Sequence, residues 1–124
     1  MTRPESSRFK LSWVALLING IAILAFGLII AALDGTSAPY TRAIGAATIG
    51  MGLFGSLISV TAYRRREKWA WFCLCYYPVF WTAHLVADLP PGQDHIHQVV
   101  FIVVSAAGLL AAIPDFFPRS TRPN

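Results

Sequence analysis

Four stretches of apolar residues, 11–33, 43–63, 69–89 and 95–113, alternate with short polar breaks along the chain. A helix rises about 1.5 Å per residue and needs about 20 apolar residues to cross about 30 Å of hydrocarbon, so each stretch predicts one membrane-spanning helix. The breaks are too short for anything but antiparallel connections between sequential neighbours. The pattern predicts an all-α polytopic membrane protein: a single domain over residues 1–124, folded as an antiparallel up-down-up-down four-helix transmembrane bundle.

Composition agrees. Hydrophobic residues make up 56% and charged residues 13% of the chain, against roughly 25% charged in a soluble domain. The net charge of +4 does not mean nucleic acid. Arg3, Arg8 and Lys10, then Arg64, Arg65, Arg66 and Lys68, then Arg119 and Arg122 flank the spans on alternate ends, and Arg42 alone falls on the other side. Such asymmetry places both termini and the 64–68 turn in the cytoplasm. Asp34, Asp88 and Asp94 mark the opposite side. The first stretch is too long for the roughly 7–15 apolar residues of a cleaved signal, so it is read as a retained helix.

The second span carries a seam without a large side chain: Gly45, Thr48, Gly52, Gly55, Ser59 and Ala62, at alternating steps of three and four. Small seams let helix backbones approach closely in lipid. This one fits either a contact within the bundle or a docking face for a second chain. Asn19, at membrane depth in the first span, is expected to face another helix. Gly35 after Asp34 reads as the C-cap of the first span, Asp94 as the N-cap of the fourth, and Pro114 as the end of the fourth.

The third span holds seven aromatics in thirteen residues, Trp69 to Trp81. Pro78 lies mid-membrane, takes the helical partner away from the Leu74 carbonyl, and predicts a kink. Tyr77, Trp81, His84 and Asp88 share one face of this helix. They are the candidate lining of a pocket for a quinone, a lipid or a haem. His84 and Asp88, one turn apart, together with His95 and His97 across the next break, are the candidate metal set. Haem b needs imidazoles on both faces of its ring, which His-x-His alone does not supply. The competing reading is plain interfacial solvation of three histidines. Cys73 and Cys75 point about 200° apart on a helix and read as packing residues rather than a redox pair.

Several activities lose their basis. No charge lies mid-span, as a coupled carrier needs. C-x-x-C, a phosphate loop, HExxH and a Ser-His-Asp set are all missing from the sequence. The stretch from Tyr63 to Phe117 resembles small bacterial four-helix membrane proteins of the broad DoxX-like kind. The residues that carry the resemblance are Arg65 to Trp71 entering the third span, Pro78 to Trp81 within it, and His97 to Phe101 opening the fourth. The resemblance implies a multi-pass protein of the bacterial inner membrane and an accessory role, in some members beside quinone-dependent sulfur redox chemistry. It transfers no catalytic residue. The resulting expectation is a non-catalytic accessory or structural subunit, in a homo-oligomer or a larger membrane complex, with no cofactor demanded by the sequence. The alternative is a quinone-, lipid-, haem- or metal-binding protein with its pocket near the outer half of the third span.

Overall fold

The computed structural model describes residues 4–33, 39–88 and 95–119, with backbone alone for residues 33, 39–41 and 88. The helices are α1 (Ser7–Leu33), α2 (Pro39–Ile58), α3 (Lys68–Leu74), α4 (Tyr76–Asp88) and α5 (Ile96–Phe116), and α2 runs into a π-helical turn over Ser59–Tyr63. All the regular structure among the described residues is helical. Four helical stretches are long and apolar enough to cross a membrane: Ser7–Ala32, Arg42–Tyr63, Lys68–Ala87 and Ile96–Phe116.

The boundaries follow local chemistry. Helix α1 starts a turn earlier than the apolar pattern suggests, because Ser6 Oγ accepts the Phe9 N–H at 3.1 Å and caps it. Pro39 opens α2, where its missing N–H costs nothing. The third span is divided: α3 stops at Leu74, Cys75 forms a turn and α4 begins at Tyr76. Pro78 has no N–H for the Leu74 carbonyl, so the ladder is weakest there. At the other end, Pro114 does not stop α5 as expected. It lies in the last turn, the helix continues to Phe116, and the Phe117 N–H closes it on the Ile113 carbonyl at 2.8 Å. The expected caps at Gly35 and Asp94 lie outside the described residues.

The connection from the π turn to α3 is tight. The Glu67 N–H donates to the Ala62 carbonyl at 3.0 Å and the Arg66 N–H to the Tyr63 carbonyl at 2.9 Å, the bonding of a Schellman motif. Arg66 occupies the position usually given to glycine, with φ of 59°. A side chain there costs about 1–2 kcal/mol of backbone strain.

The molecule is apolar outside and partly polar inside. Leu11, Ile18, Leu28, Phe54, Phe72, Val86 and Leu110 are more than half exposed, whereas Ser12, Asn19, Thr48, Ser59, Gln98 and Ser105 are buried. In water this arrangement would be unfavourable on both counts. In lipid it is sound, because the inner hydroxyls find acceptors in their own helices: Thr48 donates to the Ile44 carbonyl, Ser59 to that of Gly55 and Ser105 to that of Phe101.

The main interface is α1 on α2, and the seam of α2 makes it. Gly45 lies against Ala31 and Gly27, and Gly27 in turn against Ile49. Gly52 lies against the Leu24 backbone and the Gly20 carbonyl. The glycines of α1 and α2 therefore interlock inside the chain, and the part of the seam from Gly45 to Gly52 is closed to a second chain.

Helix α5 packs on the other side of α1 and on α4. One end of the molecule closes on stacked rings: Phe9 lies 5.9 Å from Tyr63, which lies 4.7 Å from Phe116. The Ser12 hydroxyl donates to the Gly108 carbonyl at 2.7 Å, so the Tyr63 phenol 2.8 Å away donates to Ser12 Oγ. Ser12→Ala is expected to cost about 1–3 kcal/mol, because it leaves the Tyr63 hydroxyl buried without an acceptor. Adding Tyr63→Phe should recover part of that loss. A double-mutant cycle by denaturant titration in micelles checks it, and additive losses would refute the coupling.

Candidate functional site

Tyr77 lies in the first turn of α4, just past the break at Cys75. The Tyr77 ring reaches from α4 to the line where α1 and α2 meet, and two glycines make room for it. A methyl group on Gly20 would stand 2.6 Å from the Tyr77 hydroxyl, and one on Gly55 would overlap the hydroxyl itself. Tyr77 is 1% exposed, yet its hydroxyl has no hydrogen-bond partner. Ser56, close by, donates to the Gly52 carbonyl and makes no hydrogen bond with the phenol. A buried hydroxyl left this way costs about 1–3 kcal/mol.

Behind Tyr77 lies an apolar groove between α2 and the α3–α4 span, with a cavity volume of about 430 Å³. Met51, Phe54 and Ile58 form its α2 wall, Phe72 and Cys73 its α3 wall, and Gly55 and Tyr77 its floor. It opens sideways, toward the surface that carries the exposed leucines and phenylalanines. Tyr77 stands nine residues after Lys68 and ten before Ala87, the ends of its span. It thus lies about 14 Å from either end, at mid-depth.

Of the four residues expected to share a pocket, the three with described side chains have different neighbours. Tyr77 alone floors the groove. Trp81, fully buried, turns to α1 and α5, with ring centroids 6.0 Å from Phe26 and 4.9 Å from Phe101. His84 stacks on Phe80 at 6.1 Å and meets Trp81 edge-on at 5.7 Å. The Asp88 side chain lies outside the described residues. The shared face predicted for these residues is divided between two neighbours, because tyrosine and tryptophan one turn apart reach to different helices.

The candidate metal set is described only in part, without the Asp88 side chain. Among the described residues no three of His, Cys, Asp and Glu gather within reach of one ion. His97 packs against Phe26 at 4.6 Å and against Trp81 at 6.0 Å. His95 Nδ1 lies 3.2 Å from Gln98 Oε1. The imidazoles of His84 and His97 both lie against Trp81, as parts of an aromatic cluster.

Other buried donors among the described residues also lack partners, Asn19 Nδ2 and Trp81 Nε1 among them. Asn19 does face inward, as expected of an amide at membrane depth. Sequence reasoning missed Gly20, which makes room for the Tyr77 hydroxyl, and Met51 and Phe54, which line the groove. The visible signal was Gly20 and Gly27, two turns apart on one face of α1 and matching the glycines of α2. The outer face of α4, with Val79, Ala83 and Val86, forms a second, shallower apolar hollow of about 630 Å³.

No family model, no curated protein and no solved structure matches this chain. The functional reading rests on the geometry.

Proposed function

We propose that the chain is a multi-pass inner-membrane protein that holds an apolar, carbonyl-bearing lipid, of the isoprenoid quinone kind, in the groove between α2 and the α3–α4 span. The helices run alternately up and down, with both termini and the Arg64–Lys68 turn in the cytoplasm. The observation that carries the reading is Tyr77: the residue lines an apolar groove, and its hydroxyl, buried where α1 meets α2, has no partner. Depth selects the ligand class. A phospholipid keeps its polar groups near the surface, whereas a quinone can bring a carbonyl to mid-bilayer. Turned toward the groove, the phenol would donate to that carbonyl, and the apolar wall would hold the isoprenoid tail. Among the described residues the groove is lined by no acid, base or metal set besides the Cys73 thiol, and the role read here is binding. This ligand class matches what the DoxX-like resemblance implies.

Lipid extraction and mass spectrometry of gently purified protein test the proposal. Wild type is expected to carry a quinone, and Tyr77→Phe to lose most of it. Because the hydroxyl has no partner, the variant should be as stable as wild type, or more stable by about 1 kcal/mol. Wild-type protein without quinone, or undiminished quinone in the variant, would reject the reading.

The accessory-subunit reading is favoured by a different observation. The outer face of α4 has no partner helix in its own hollow, where Val79 and Val86 are more than half exposed. A neighbouring chain would dock there and not on the α2 seam. Cysteine placed at Val86 should then cross-link in membranes, and cysteine at Leu28 should not.

A further inference from the structure

The basic end of the molecule is organised, and the groove makes no use of it. Among the described residues Arg8, Lys10, Arg64, Arg65, Arg66, Lys68 and Arg119 gather there, against Glu5, Glu67 and Asp115. Two of the cations are pinned. The Arg64 guanidinium lies over the Trp13 ring, 4.6 Å from its centroid, and that of Arg66 lies over Phe9 at 4.7 Å. Phe9 and Trp13 are one turn apart on α1, about 6 Å along the axis. The two guanidiniums therefore stand over neighbouring turns of one helix. Stacking on a ring occupies a guanidinium face and leaves its edge of N–H donors to meet an anion. Arg66 Nε is buried and has no hydrogen-bond partner. The chain also keeps arginine at the one position of the turn where glycine would relieve the backbone.

We propose that Arg64 and Arg66 clamp the phosphodiester headgroup of an anionic phospholipid against the start of α1. Forked guanidinium donors match phosphate oxygens, and a pair already held over rings loses little freedom on binding. The clamp sits where the second and third spans end, the level at which headgroups lie. The rival partner is internal: Asp115 Oδ2 is also buried without a partner, and an Arg66–Asp115 pair would leave nothing for a lipid. The proposal rests on the bilayer placement above but not on the quinone groove.

Native mass spectrometry of the full chain, titrated with phosphatidylglycerol or phosphatidylcholine of identical acyl chains, tests it. Wild type is expected to prefer the anionic lipid by about tenfold. Arg64→Gln with Arg66→Gly should bring the preference close to parity, while Arg66→Gly alone keeps or raises the thermal midpoint. Arg66→Lys, which retains the charge and the backbone strain, should lose part of the preference. Arg8→Gln with Lys10→Gln removes the same charge from exposed positions and should leave most of it. Inorganic phosphate at the lipid concentration should not displace the lipid. Equal loss in the two double variants would mean diffuse attraction and would overturn the clamp, as would wild-type indifference to headgroup or displacement by inorganic phosphate. A chain that failed to enter membranes at all would remove the bilayer placement instead.

Discussion

Gly52→Leu is expected to prevent the chain from accumulating as a folded protein, and Gly52→Ala to destabilise it by about 3 kcal/mol or more. A methyl group at this position meets the Leu24 backbone and, at 2.8 Å, the Gly20 carbonyl. Backbone cannot turn aside as a side chain can, so α1 and α2 would have to separate along their main interface. In lipid that separation forfeits close packing, the principal force holding membrane helices together. Gly50 is the control. A methyl group there meets nothing within 4 Å, so Gly50→Ala should be neutral or slightly stabilising through helix propensity. Detergent-unfolding midpoints of the two alanine variants check the contrast. Similar midpoints would show that the tight α1–α2 contact is not what holds the bundle.

Trp81→Ala should have an effect of similar size, about 3 kcal/mol. Its ring bridges α1, α4 and α5, with centroids 6.0 Å from Phe26, 4.9 Å from Phe101 and 5.3 Å from Phe80. The cost is lost contact and an unfilled cavity, since an unfolded chain in lipid already keeps its indoles out of water. For the same reason Trp81→Phe should recover much of the loss, and it also removes the partnerless Nε1 donor. Trp69, 51% exposed, should tolerate alanine within about 0.5 kcal/mol. Thermal midpoints in a single detergent check the order. Equal tolerance at positions 69 and 81 would contradict the packing described here.

How much of this was legible depends on the kind of force involved. Helix existence and span length follow from apolar runs, because lipid leaves a chain few ways to satisfy its backbone. The small seam of α2 was visible as a period, but its partner was not. Only the fit of Gly27 against Ile49, and of Gly52 against Leu24, shows that α1 fills it. Pro78 announced a distortion, while the contact of Tyr77 with Gly20 and Gly55 depends on which helices stand opposite. Tyr77, Trp81 and His84 have different ring neighbours although they share a helical face, since long rings on one face still reach to different helices. The histidines illustrate the same point: their convergence in sequence space ended in ring packing on Trp81.

The amino-acid sequence by itself determined the all-helical class, the four spans and the gathering of basic residues at alternate span ends, because hydrophobicity and charge act residue by residue against the solvent. Tertiary structure decided what the special residues do: which glycines close on which backbone, that the Tyr77 hydroxyl stays without a partner beside a groove, and that Arg64 and Arg66 stand over rings of α1. Those outcomes depend on distances between helices, set by packing of the whole bundle, and no local pattern contains them.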